Sequence, residues 1–451
     1  MDYKKLRLTY KEFVYKSYSY NLVEGDLLLS FVYTIKPDIS FEHKVIIKDA
    51  GKTAKKLDNK VLENLIFNIG LVEIPSYWKT TCSPVIKIEA GKLDGWQIEW
   101  WRKLFMNGMM QYFYTNKIDF RNKEFLNIET KKNIYRELNL ANVSFDKVLI
   151  PVGGGKDSAV TLGLMDKSGI EHGTLVVEKA SSAAHNVSKL SLGDCHTAER
   201  ILDLDKLSEL NKTGYLNGHV PYSAVLYYIS ILTSYIFDYS KILFSNENSS
   251  NEGNIQYLGT DVNHQYSKTL EFENDFSEYN EKYLSNIKLF SFLRPIYEIQ
   301  ISKLFSRMEK YFSVIRSCNV GQKESVWCGK CSKCLSTYIL LMPFLGIKKT
   351  VAIFGSDLLK DESLKDVFLD LIEESRVKPF ECVGTRLELK VALNMALKMY
   401  SEDSLPPLLR YFKTSILFNT SELNKEEKKL TSSFGENNLP SEFKKLLKSN
   451  L

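Results

Sequence analysis

Residues 148–158 read VLIPVGGGKDS. The run from Val148 to Val152, with Pro151 inside it, has the continuous apolar character of a strand buried on both faces. Gly153, Gly154 and Gly155 follow, where the backbone can turn sharply and approach a ligand with no Cβ in the way. Lys156 adds a positive charge. Asp157 or Ser158 is placed to cap the helix that AVTLGLMDK continues. A strand, a glycine turn and a helix N-terminus together make an anion cradle, and a phosphate chain is the ligand it suits. The bland alternative is a plain glycine turn between a strand and a helix.

The spacing separates the phosphate motifs. A Walker A loop needs four residues between its outer glycines and then Gly-Lys-Ser/Thr, and a dinucleotide fingerprint needs GxGxxG. Neither fits. The stretch resembles the PP-loop, Ser-Gly-Gly-x-Asp-Ser, of ATP pyrophosphatases, which cleave ATP between its α and β phosphates. Gly154, Gly155, Asp157 and Ser158 match it. Gly153 stands where that motif carries Ser, so one hydroxyl contact to phosphate is missing. The resemblance implies ATP bound over Gly153–Ser158, with Mg2+ neutralising the phosphates.

Working outward, the chain is 451 residues long. A prior of roughly 150 residues per domain suggests two or three domains with ample core. An apolar share of 44% and a charged share of 25% are ordinary for a soluble globular protein. The net charge is +5 and there is no dense Lys/Arg run, so a nucleic-acid partner is not indicated. MDYKKLRLTYKEF at the start lacks the apolar core of a signal peptide. The most apolar window, 220–237, carries Pro, Ser, Thr and Tyr and reads as a buried helix rather than a membrane span. Seven cysteines, four of them clustered, point away from a secreted disulfide framework. Together these place the protein in the cytoplasm.

Residues 1–140 read as an α+β domain. Two strand-like runs flank Glu24-Gly25-Asp26, a hairpin signal. FEHKVIIKD continues as a strand, VLENLIFNIG has helical spacing up to Gly70, and DGWQIEWWRKLFMNGMMQYFYTN reads as a helix with an aromatic face packed in a core. Residues 117–145 read as a linker or an exposed helix. From 141 to 400 the texture alternates between β and α, with short apolar runs at 148–152, 174–178 and 242–245. That alternation predicts an α/β fold built on a doubly wound parallel sheet, whose ligands lie beyond the carboxyl ends of the strands. Residues 401–451 read as a C-terminal helical tail. The segments expected at the sheet's carboxyl edge hold Asn217-Gly218-His219, Glu247 within 246–254, and His264 and Lys268 within 263–273. His219 and His264 are functional candidates, although polar residues at this density also occur in any solvated loop.

Cys318, Cys328, Cys331 and Cys334 have the spacing C-x9-C-x2-C-x2-C. Two-residue gaps let neighbouring thiolates turn towards one tetrahedral ion, and four thiolates leave no open position, as in a structural zinc site. An iron–sulfur cluster and a redox pair are the alternatives. Cys82 and Cys195 read as apolar fillers. Cys382, in the polar stretch KPFECVG, is a weaker site candidate.

A glycine turn followed by this cysteine cluster resembles 7-cyano-7-deazaguanine synthases, which adenylate a carboxylate and bind zinc, but those enzymes are much shorter. A likeness over nearly the whole chain is carried by PVGGGKDS, NGHVP, SNENSSNEGN, NHQYSKTLEFE, FSFLRP, SCN with WCGKCSKC, IFG and KPFECVG, in that order. Together with NIGLVEIPSYWK and GWQIEWW near the start, these strings resemble the UDP-N-acetylmuramoyl-L-alanyl-L-glutamate epimerases of bacterial wall synthesis. The resemblance implies inversion of the terminal L-Glu of a nucleotide-linked dipeptide, with ATP converted to AMP and pyrophosphate. It also implies a small-molecule nucleotide-sugar substrate, with neither nucleic acid nor membrane as partner. Adenylation removes the negative charge that opposes loss of the α-proton. Acid/base groups must then lie within hydrogen-bond reach of that carbon, and His219, Glu247, His264, Lys268 and Cys382 are the candidates. Arg294, ahead of Pro295 and a new helix, is a candidate for holding a phosphate or a substrate carboxylate. A carboxylate-adenylating synthase, a tRNA-modifying enzyme of the same loop type and a nucleotide sensor without turnover remain the other readings.

Overall fold

A computed structural model describes residues 2–131, 139–177, 182–321, 324–415 and 417–451. Its strands, in chain order, are β1 (Glu12–Val23), β2 (Asp26–Ile35), β3 (Ile39–Ile47), β4 (Val85–Ile88), β5 (Asn127–Thr130), β6 (Val148–Pro151), β7 (His172–Val177), β8 (Asp194–Ile201), β9 (Lys241–Phe244), β10 (Ile255–Tyr257), β11 (Thr260–Val262) and β12 (Lys288–Ser291). β10 and β11 pair with each other. The other strands form one sheet in the order β12-β9-β6-β7-β8-β3-β2-β1-β4-β5. The pairings from β12 to β8 are parallel, as are β1–β4 and β4–β5. The pairings β8–β3, β3–β2 and β2–β1 are antiparallel. The architecture is therefore α/β on a large, mostly parallel sheet, and the N-terminal meander is part of that sheet.

Local chemistry accounts for these elements. Glu24 and Gly25 both have positive φ, 51° and 92°, and close a two-residue turn in which Val23 faces Asp26. Such a turn matches the twist of its flanking strands. In β2 the burial alternates residue by residue, the signature of a strand whose side chains point to opposite faces. Strands β6, β7 and β9 are buried on both faces, and their successive side chains enter different cores. Leu149, Leu175 and Ile242 join the core that holds the helix Tyr222–Phe237. Val148, Ile150, Val176 and Leu243 join the core that holds the helices Lys156–Ser168, Glu298–Phe305 and Ser332–Leu345. Helices on both faces leave the sheet's carboxyl edge as the open rim.

Several expectations shift. The helix read as reaching Gly70 spans Asn59–Val72. Gly70 lies inside it because a Cβ there would fall 2.0 Å from the Tyr15 hydroxyl, so the glycine admits a packed ring rather than ending the helix. The stretch 117–145 contains β5, with Phe125, Leu126 and Ile128 buried, rather than only a linker or an exposed helix. Its residues 132–138 lie outside the described residues, as does Glu178 of the strand expected over 174–178. The window 220–237 is a buried helix, Tyr222–Phe237. Among the described residues no helix is long and apolar enough to cross a membrane. The end of the chain carries the helices Pro407–Thr414, Thr420–Ser432 and Ser441–Lys448, which bury Leu409, Phe412, Phe443 and Leu447.

Candidate active site

The carboxyl ends of β6, β7 and β9 open into a cavity of about 360 Å³, where ligands of such sheets sit. β6 leaves the sheet through Val152, whose N–H donates to the Leu175 carbonyl at 2.9 Å, and enters the glycine turn. Gly154 has φ +81°, and a Cβ there would lie 2.6 Å from the backbone nitrogen of Ala184. A Cβ on Gly153 would meet nothing within 4 Å. The helix Lys156–Ser168 is capped by Gly155, with no side-chain capping bond. This corrects the expectation that Asp157 or Ser158 caps it. Both lie in the first turn, and the Ser158 hydroxyl donates back to the Gly155 carbonyl at 3.1 Å. The backbone N–H groups and the dipole of this helix therefore face the cavity without a capping side chain between.

Lys156 is buried at the head of this helix. Its ammonium pairs with Asp157 Oδ1 at 2.5 Å and with Glu298, the first residue of the helix Glu298–Phe305. Burial alone would lower the Lys156 pKa, but Asp157 and Glu298 outweigh it and keep the ammonium charged. Gly153, Gly155, Lys156, Asp157 and Ser158 all line the cavity.

Lys268 and Cys382 also line the cavity, with Lys268 Nζ 3.2 Å from Cys382 Sγ. Cys382 belongs to a strap held from both sides. Lys378 pairs with Glu252 at 2.7 Å, and the Pro379 carbonyl accepts from Asn254 at 2.8 Å. Glu381 accepts from Asn319 and from the Lys333 N–H, each at 3.0 Å. Burial pushes the Cys382 thiol up, but Lys268 and then Lys333 more than reverse this and bring it below its ordinary value. Burial likewise opposes the Lys268 charge, and Cys382 and Glu247 overcome it, raising its pKa.

The remaining candidates fall elsewhere. Glu247 is buried behind Lys268, with its carboxyl pushed up chiefly by burial, against the pull of Lys268. His219 and His264 face each other edge to face at 5.9 Å between ring centroids. His264 Nδ1 lies 3.0 Å from Asn254 Oδ1. Burial, then His264, brings His219 down to about 4, and burial, then Lys268, brings His264 down to about 3. Both imidazoles are thus neutral near pH 7, so neither offers an imidazolium proton. Neither lines the cavity. Arg294 is wholly buried. It donates to the Glu247 carbonyl at 2.6 Å, to Ser250 Oγ at 3.0 Å and to the Lys268 carbonyl. It ties the loop after β9 to the turn carrying Lys268, and its guanidinium does not face the cavity.

The four clustered cysteines gather as their spacing suggests. Their sulfurs all lie within 4.8 Å of one another, with separations of 3.9 Å (Cys318–Cys331), 3.7 Å (Cys328–Cys334) and 3.5 Å (Cys331–Cys334). Tetrahedral zinc with bonds of 2.3 Å places its sulfurs about 3.8 Å apart, so the arrangement has the size of such a site. The cluster joins two walls of the cavity. Arg316, Ser317 and Asn319 flank Cys318, and Lys333, Ser336 and Thr337 flank Cys334, and all six line the cavity.

Comparison with known proteins bears on this geometry. The family description MurL N-terminal domain matches residues 4–292, and MurL C-terminal domain matches residues 312–425. The chain belongs to the MurL family. A relative from Xanthomonas oryzae pv. oryzae is 29% identical over 331 residues, covering 70% of this chain and 71% of the relative. One from Salinispora tropica is 28% identical over 400 residues, covering 85% and 84%. One from a Micromonospora species is 33% identical over 267 residues, covering 55% and 56%. Each is named UDP-N-acetyl-alpha-D-muramoyl-L-alanyl-L-glutamate epimerase. No solved structure matches the chain. In this MurL family member both matched regions build the cavity, since the glycine turn and Lys268 come from the first and Lys333 and Cys382 from the second.

Sequence reasoning missed Glu298 and Lys333. The signal for Glu298 was its position in the first turn of the helix expected after Pro295, combined with the need of a buried Lys156 for a carboxylate. Lys333 lies between Cys331 and Cys334, and a cysteine spacing read only for its sulfurs hides the residue it aims at the cavity.

Proposed function

We propose that this protein inverts the terminal L-Glu of UDP-N-acetylmuramoyl-L-alanyl-L-glutamate to D-Glu, using ATP, in the synthesis of peptidoglycan precursors. The supporting observation is that one cavity brings a helix N-terminus with a glycine turn together with a thiol–ammonium pair. The names of the MurL relatives point the same way. The glycine turn is read as a PP-loop. It holds the triphosphate of ATP on backbone N–H groups, and Lys156, Arg316 and Lys333, which line the cavity together with Lys268, favour the negative charge there.

A carboxylate oxygen of the glutamate attacks the α-phosphorus of ATP, and pyrophosphate leaves. The resulting mixed anhydride no longer carries the carboxylate charge, so the adjacent C–H becomes acidic. Cys382, whose thiolate form Lys268 favours, takes that proton as a thiolate; a proton drawn from solvent is delivered to the other face, and the thiol returns its own proton to solvent. Water then opens the anhydride and releases AMP. The half-buried Asp157 carboxylate is an oxygen ligand of the kind Mg2+ takes, and the ion would neutralise phosphate charge. The four thiols, all unpaired as disulfides, are of the type and separation that suit a structural Zn2+. Unpaired cysteines also fit a reducing, cytoplasmic setting.

Incubation with ATP, Mg2+ and the L-Glu substrate in deuterated water tests the reading. D-Glu product carrying deuterium at Cα, with one AMP per turnover, is expected. AMP formed while Cα keeps its original proton would make the protein a ligase or hydrolase instead. Pyrophosphate released only with a heterocyclic acid would favour a synthase of the deazapurine kind.

A further inference from the structure

The cavity holds about 360 Å³, near the small end of small-molecule sites. That suits a nucleotide and the reacting glutamate, but not also the nucleotide-sugar to which the glutamate is linked. The substrate must continue elsewhere, and the fold shows where. β8 runs parallel to β7 and ends at Ile201 on the same carboxyl edge. Beyond that end lies a groove of about 600 Å³ lined by Ser76, Lys79, Arg200, Leu202, Lys212 and Val220, among others. Tyr222 stands between the two spaces. It lines the cavity, its hydroxyl donates to the Val177 carbonyl at 3.1 Å, and the Arg200 guanidinium lies 5.6 Å from its ring centroid. His219, next to Val220, feels the charge of both Lys79 in the groove and Lys268 in the cavity.

The cations of the groove differ in what holds them. Arg200 is locked in a two-pronged pair with Glu73, both contacts at 2.6 Å, and donates to Ser76 Oγ at 2.8 Å. Lys79 donates to the Gly218 carbonyl at 3.2 Å. Among the described residues neither Lys79 nor Lys212 pairs with a carboxylate. Half-buried Lys79, brought down to about 8 by burial and then by Arg200, is a cation whose charge lacks a counter-ion. An anion there would supply one.

We propose that this groove is the subsite for the diphosphate of the nucleotide-sugar, with Lys79 and Lys212 as its cations and Leu202, Leu204 and Leu207 as the apolar wall beside it. The identity of the ligand rests on the proposed epimerase reading, while the groove, its charge and its place on the sheet edge do not. The proposal gives the N-terminal segment a direct role, since Ser76 and Lys79 come from the helix Ile74–Trp78 and the residue that caps it.

Lys79→Met and Lys212→Glu test it, with UDP alone as the binding probe. In calorimetry the wild type should bind UDP, and each variant should bind it more weakly, by roughly tenfold or more for Lys79→Met, the loss of one charge-assisted contact. In turnover, KM for the nucleotide-sugar should rise in the same order while KM for ATP stays within twofold. UDP should compete with the nucleotide-sugar and not with ATP. Lys212 is exposed at the end of the helix Leu204–Lys212, so Lys212→Glu carries the test if Lys79→Met does not fold. Absence of UDP binding by the wild type, or unchanged affinity and KM in folded variants, would overturn the subsite even if epimerisation proceeds. A protein that binds UDP through Lys79 but does not epimerise would keep the subsite and sink the proposed reaction.

Discussion

At the scale of single residues, the glycine turn makes an uneven demand on its members. Gly154 combines positive φ with a backbone neighbour 2.6 Å from where a Cβ would sit. Gly154→Ala should therefore cost about 1–3 kcal/mol and displace the turn, read as a lower melting temperature with loss of pyrophosphate release. Gly153 has open space around it, so Gly153→Ser should melt like the parent chain. Cys382 makes a chemical prediction. Cys382→Ala should still release pyrophosphate while deuterium entry at Cα falls by ~100-fold or more, the scale of a lost general base. Its pH dependence has a definite sign. The thiolate exists above the lowered pKa of Cys382 and is lost as pH falls through it. Lys268→Met removes the stronger of the two cations that hold it down, against burial and Asp157, so the acidic limb of the exchange rate should move to higher pH. The turn was legible in the sequence because strand, glycines and helix are contiguous. The thiol–ammonium pair was not, because its members lie 114 residues apart. Sequence could name both but could not say that they, rather than the two histidines, share the cavity.

At the scale of elements, the cysteine cluster decides where two walls of the cavity stand. Cys318 and Cys331 sit beside the residues that Glu381 ties together, Asn319 and Lys333. Since a structural zinc site contributes directly to folding, Cys331→Ser should lower the zinc content measured by elemental analysis and lower the melting temperature. KM for ATP should rise with it, because Arg316–Asn319 and Lys333–Thr337 lose their common anchor. A metal-free wild type with normal stability would refute this. The cluster was readable from spacing alone, as were the helices with strong apolar periodicity. β8 was not. Its sequence, Asp194-Cys195-His196-Thr197-Ala198-Glu199-Arg200-Ile201, has one fully buried residue, Ala198, so the alternation that marks a strand is nearly absent. Its pairing is fixed by β7 on one side and β3 on the other.

At the scale of the whole molecule, that inconspicuous strand is the seam between the N-terminal meander and the parallel strands. One core packs residues of β1–β3 and the helix Asn59–Val72 with those of the helices Tyr222–Phe237 and Leu270–Tyr283. A fragment ending at residue 140 would therefore expose the free edge of β3 and a broad apolar face, an invitation to edge-to-edge association. Such a fragment should elute as aggregate in size-exclusion chromatography and bind a hydrophobic dye. A monomeric, cooperatively melting fragment would contradict the shared core.

The same seam sets a timetable for the growing chain. Ile47 of β3 finds its partner in Ala198 of β8, roughly 150 residues later, an interval on the order of ten to thirty seconds at ordinary translation rates. Throughout that interval a complete hairpin edge waits at the ribosome without its neighbour. Cells that make this protein in quantity should depend on chaperones that shield nascent strands, and slowing elongation between these two strands should lower the soluble yield without altering a single contact of the finished fold.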